Sequence, residues 1–170
     1  MSYTVKTSAR MDSNLHAAAG NIADLLDFNI TITSGLRNAR EQAQAMFTKI
    51  ELGDDLIAVY ADDSFAQGVM DAHPNLDQAT TFVQSYFDLG KGSSHGRGDA
   101  LDIRTTGGDS GQLNEGQIAT LIQATKDLGY TPYQEYSPPH LHVKVGSDNV
   151  KKNNLLFMAV VGIGLWIFLN

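Results

Sequence analysis

Two short stretches of this 170-residue chain carry side chains able to bind a metal: Ser93-Ser94-His95-Gly96-Arg97-Gly98-Asp99-Ala100-Leu101-Asp102 and His140-Leu141-His142. They hold three of its five histidines. A catalytic zinc site takes three protein ligands from His, Asp or Glu and keeps one position open for water. His95, Asp102 and His142 make such a set, and the chemistry would be metal-assisted hydrolysis. There is no cysteine, so thiol nucleophiles, disulfide staples and Cys-based zinc sites are excluded. His16 lies in an amphipathic helical stretch and His73 precedes Pro74; neither has ligand spacing to the two motifs.

The elements that must position these residues follow from local pattern. Alternation along His140–Val145 puts His140, His142 and Lys144 on one face and Leu141, Val143 and Val145 on the other. The apolar face is the buried one, so the two histidines look out together, roughly 7 Å apart. In Ala100–Arg104, Leu101 and Ile103 take the core face and Asp102 projects opposite. Gly96 and Gly98 let the loop carrying His95 turn back toward Asp102. Elsewhere the periodicity predicts helices over Asp12–Phe28, Asn38–Ile50, Gln78–Leu89 and Asn114–Leu128, and strands over Asn29–Ser34 and Tyr130–Tyr133. The stretch Glu51–Asp77 has no clear period, although Asp62-Asp63-Ser64 is a helix start. Helices first and strands later predict an α+β domain on an antiparallel sheet with flanking helices.

The order SxHxxGxAxD followed by HxH resembles the zinc peptidases grouped around D-alanyl-D-alanine carboxypeptidases, lysostaphin-type endopeptidases and the hedgehog signalling domain. Ser93, His95, Gly98, Ala100 and Asp102 match the first motif, and His142 matches the third ligand. Ser34-Gly35-Leu36-Arg37, followed by Gln42, is similar to the SGxR segment that precedes the first motif in that family. The similarity runs over roughly residues 15 to 145. It implies a Zn2+ cofactor and a role for Arg37 in holding the substrate carbonyl or the developing oxyanion. Ser93 then shapes its loop or hydrogen-bonds substrate. Several members place Glu or Asp three residues before the last zinc histidine, where this chain has Pro139. For the proton carrier, His140 is the first candidate and Glu135 the second. Of Tyr130, Tyr133 and Tyr136, one or two suit either a substrate groove or the core.

A net charge of -7 argues against a general nucleic-acid binder. Met1–Leu15 is polar and mixed, which predicts no signal peptide. Residues 146–154 read as a linker after a domain over 1–145. The run Leu155–Leu169 has fifteen residues without a charge, preceded by Lys151 and Lys152 and carrying the sole tryptophan, Trp166. As a helix it spans about 22 Å against a hydrocarbon core of ~30 Å, and the flanking asparagines extend it. It is expected to be a C-terminal transmembrane anchor. Together these readings imply a peptidoglycan peptidase, endopeptidase or D,D-carboxypeptidase, anchored in a virion membrane or host inner membrane. Its expected partners are peptidoglycan peptides, the membrane and virion proteins of a bacteriophage. The alternative is a non-catalytic zinc-containing module that binds the cell wall or serves as a structural virion membrane protein.

Overall fold

A computed structural model describes residues 2–106, 112–136 and 139–146. Among these residues the chain runs β1 (Tyr3–Val5), α1 (Ser13–Asp24), β2 (Ile30–Ser34), α2 (Ala39–Glu51), α3 (Leu56–Val59) and α4 (Asp63–Ala72). It continues through α5 (Leu76–Asp88), β3 (Ala100–Arg104), α6 (Glu115–Asp127), β4 (Thr131–Tyr136) and β5 (Pro139–Lys144). Side-chain caps set the helix starts: Asp12 accepts from Leu15 N–H, Asp62 from Phe65 N–H, and Asn38 and Asn114 each close a reciprocal capping box with Glu41 and Gln117.

The five strands form one sheet in the order β1-β2-β3-β5-β4. This corrects the expected antiparallel sheet, because β1 and β2 pair in parallel and the sheet is mixed. The reason is local. Parallel neighbours need a crossover, and α1 provides it between β1 and β2. A three-residue edge strand carries too little alternation to be read from sequence.

Two separate apolar clusters hold the chain. The first packs α1 and α6 on one face of the sheet, through Leu15, Ile22, Leu101, Ile103, Leu121, Leu141 and Val143. Each such fully buried aliphatic contributes about 1.5–3 kcal/mol. The second packs α2, α3, α4 and α5 on one another, through Met46, Leu56, Phe65, Val69 and Val83. The metal-binding motifs lie between the two, on the sheet face that α1 and α6 leave uncovered.

The expected membrane anchor is also corrected. No helix among the described residues is long and apolar enough to cross a membrane. The longest helices have 13 residues, about 20 Å at 1.5 Å per residue against a ~30 Å hydrocarbon core, and their outer faces are polar. The run 155–169 lies outside the described residues.

Candidate metal centre

The site is built on β3 and β5, which pair in antiparallel register with Asp102 opposite His142 and Arg104 opposite His140. Leu101, Ile103, Leu141 and Val143 are fully buried in the first core, which fixes which way the intervening side chains point. The loop between α5 and β3 brings His95 onto the same face. Gly98 has φ +73 and satisfies the turn by its positive φ. Gly96 serves differently: it lies against the Phe87 ring, leaving no space for a Cβ.

Three donor atoms converge. His95 Nε2 lies 3.1 Å from Asp102 Oδ1, His142 Nδ1 lies 2.9 Å from the same oxygen, and the two ring nitrogens are 3.2 Å apart. A tetrahedral ion with bonds of about 2.0–2.1 Å holds its donors about 3.3 Å apart, close to these separations. The ring environments agree. His95 Nδ1 lies 2.7 Å from the Gly35 carbonyl, which only accepts, so Nδ1 carries the proton and donates. Burial pushes His95 below its ordinary value, against the opposing pull of Asp102, so the neutral ring turns a lone pair on Nε2 toward the carboxylate. Burial alone would raise Asp102, but the facing histidine rings and Arg37 hold it well below the usual carboxylate range. A lone pair facing an ionised carboxylate oxygen at 3.1 Å is an arrangement that a cation between them satisfies. His142 Nε2 meets Ser94 Oγ at 3.3 Å, which orients its Nδ1 inward. His95, Asp102 and His142 can hold a metal ion.

Around these three, polar side chains from both halves of the molecule meet. Arg37 donates from Nη2 to Asp102 Oδ2 at 2.9 Å and from Nε to Ser34 Oγ at 3.0 Å. It stands here because β2 is irregular between Ile32 and Ser34, which places Ser34 opposite Asp102 and sends the chain over the site. Gln42 is fully buried. It accepts from Ser93 Oγ at 2.8 Å and donates to Tyr60 OH at 3.0 Å, while Ser93 Oγ also accepts from Gly96 N–H. Burial pushes the Tyr60 phenol up to about 12, with Arg37 and Gln42 opposing.

His140 Nε2 lies 3.5 Å from Asp102 Oδ1 and 3.6 Å from Glu135 Oε2. Glu135, its cross-strand neighbour on β4, takes an ion pair from Lys49 Nζ at 2.7 Å. The structure thus brings together all six residues singled out by sequence: His95, Asp102, His142, Arg37, His140 and Glu135. Sequence reasoning missed Lys49, Ser94 and Tyr60. Lys49 reaches across the gap between the two clusters, and Tyr60 bonds Gln42 within the second; no local pattern reports on either. Ser94 lies inside the first motif, but no ligand rule singles it out. Tyr133 flanks His142, with ring centroids 6.4 Å apart, and is half exposed, whereas Tyr130 belongs to the first core.

One prediction arises from the backbone. A Cβ on Gly35 would run into the Arg10 carbonyl oxygen, so Gly35→Ala shifts the carbonyl that orients His95. Metal affinity is expected to fall about 10–100-fold with every ligand intact, measured by competition against a chromogenic chelator. Unchanged affinity would show that the Gly35 carbonyl does not set the His95 ring.

Comparison with protein-family models, with curated proteins and with solved structures returns no match, so the functional reading rests on the geometry of this centre and the motifs that form it.

Proposed function

We propose that the chain is a zinc-dependent hydrolase of peptide bonds in bacterial peptidoglycan. The observation that carries the reading is the convergence of His95 Nε2, Asp102 Oδ1 and His142 Nδ1 within 2.9–3.2 Å of one another, with proton-carrying and cationic side chains beside them. Two histidines and a carboxylate suit zinc in a catalytic rather than a closed structural site. When bound, zinc lowers the pKa of water to about 7 and polarises a carbonyl.

The chain's own residues do the rest. Asp102 and the two histidines are held in place by Arg37, Gly35 and Ser94. Arg37 commits two of its five donors to Ser34 and Asp102, and its other donors serve a carbonyl oxygen as charge develops there. His140 shares the face of His142 and is the proton carrier between water and leaving amine. Glu135 is paired with Lys49 and faces His140, and serves as the partner of that ring. The peptidoglycan substrate rests on the resemblance of the SxHxxGxAxD, HxH and SGxR segments.

A second reading, a wall-binding module that keeps the ion without hydrolysis, draws on the Arg37–Asp102 pair, which engages the guanidinium otherwise available to substrate. Mass spectrometry of purified peptidoglycan after incubation with the protein separates the two. Release of muropeptide fragments that stops with a chelator and returns with zinc is the expected result. Wall binding with no fragment from any wall type would leave the module.

A further inference from the structure

We propose that Lys49, on α2, is a positioning residue of this centre: its ammonium holds the Glu135 carboxylate against His140 and so sets the orientation of the His140 ring beside Asp102. The consequence for turnover rests on the hydrolase reading above; the effect on the ring does not.

The contacts form an unbroken series. Lys49 Nζ lies 2.7 Å from Glu135 Oε2 and 3.6 Å from Asp54 Oδ2. The same Glu135 oxygen is 3.6 Å from His140 Nε2, which is 3.5 Å from Asp102 Oδ1. All are substantially shielded: side-chain exposure is 17% for Lys49, 26% for Glu135 and 14% for His140. An exposed ion pair contributes little, but here the pair has a directional use. A carboxylate fixed by an ammonium at 2.7 Å presents a steady negative charge to the imidazole edge 3.6 Å away. Without the ammonium, Glu135 would face Asp102 across one imidazole, with Asp54 also near, and charge repulsion would turn it outward from β4, the last strand of the sheet.

Lys49 also comes from the helix that anchors the second cluster, whereas Glu135 and His140 belong to the sheet. A simple tether between the two halves would use the same contact, and it predicts something different. A tether lowers stability when broken and leaves His140 alone. A positioning residue changes the ring environment and the turnover number while metal content stays constant.

The test uses the full zinc-loaded chain at one fixed pH. The imidazole 15N signals of His140, identified by their loss in His140→Gln, are compared in wild type, Lys49→Met and Lys49→Arg, alongside kcat and KM on peptidoglycan. Arg40→Met is the control, since it removes another cation of α2, one whose pair with Asp77 at 2.6 Å is exposed. Lys49→Met is expected to shift the His140 signals and to lower kcat about 10–100-fold. KM and zinc stoichiometry should stay near wild type, Lys49→Arg should restore both readouts, and Arg40→Met should be silent. His140 signals and kcat at wild-type values in Lys49→Met, with only the melting temperature lowered, would reduce Lys49 to a tether and overturn the proposal. If Lys49→Met does not fold, Lys49→Gln removes the same ammonium with a polar side chain, and the same shift or its absence decides. A wild-type protein that releases no wall fragment would end the hydrolase reading, while the His140 signals would still decide the role of Lys49.

Discussion

Replacing His142 by alanine is expected to abolish stoichiometric metal binding, and replacing His140 is not. Both histidines lie on the same face of β5, so the motif alone does not separate them. The structure does: His142 Nδ1 is 2.9 Å from Asp102 Oδ1 and 3.2 Å from His95 Nε2, whereas His140 Nε2 is 3.5 Å from Asp102 and also faces Glu135. A chelating trio reduced to two loses more than the 10–100-fold that removal of an orienting partner costs. Elemental analysis of desalted protein should therefore give about one zinc per chain for wild type and His140→Ala. His142→Ala, His95→Ala and Asp102→Ala should give close to none. A His142→Ala chain that keeps one tightly held zinc would show that the ligand set is wrong.

Arg37→Ala should produce the other large effect, on two separate readouts. Asp102 is ionised, only 6% of its side chain is exposed, and Arg37 is its sole arginine partner among the described contacts. Removing one member of a buried pair costs about 3–5 kcal/mol; with Arg37 about a fifth exposed, a loss near the lower end, about 3 kcal/mol, is expected in urea unfolding of the metal-free protein. On turnover, the loss of a cation able to stabilise an oxyanion is expected to cost about 10²–10³. Arg37→Lys should recover little of either, because an ammonium does not reproduce the fork that reaches Ser34 and Asp102 together. Stability unchanged in Arg37→Ala would mean that the two histidines alone compensate Asp102. Unchanged fragment release would remove Arg37 from the chemistry.

The centre was legible because its residues sit on strands with strict alternation. Leu101 and Ile103, and Leu141 and Val143, have nowhere to go but the core, so Asp102 and His142 must face the other side. The helices were legible through their caps, and Asp62 marks α4 even inside a stretch with no clear period. Elements without enough residues to show a period were not: β1 has three residues and α3 has four. The parallel pairing of β1 with β2 was hidden for the same reason. The expected spanning helix is not among the described residues, where no helix is long and apolar enough to cross a membrane, and the fifteen-residue apolar run lies outside them.

The sequence by itself determined which atoms are available as ligands, which strand faces carry them, and where glycine must stand. Those properties follow from residue chemistry and from the two-residue period of a strand. Only the tertiary structure decided how the rim is wired. Arg37 is turned onto Asp102 by an irregularity in β2, Gln42 ties the His95 loop to α2 through Ser93, and Lys49 reaches Glu135 from a helix belonging to the other apolar cluster. These contacts join segments tens of residues apart, and their partners are chosen by how two separately packed halves meet, which no local pattern along the chain encodes.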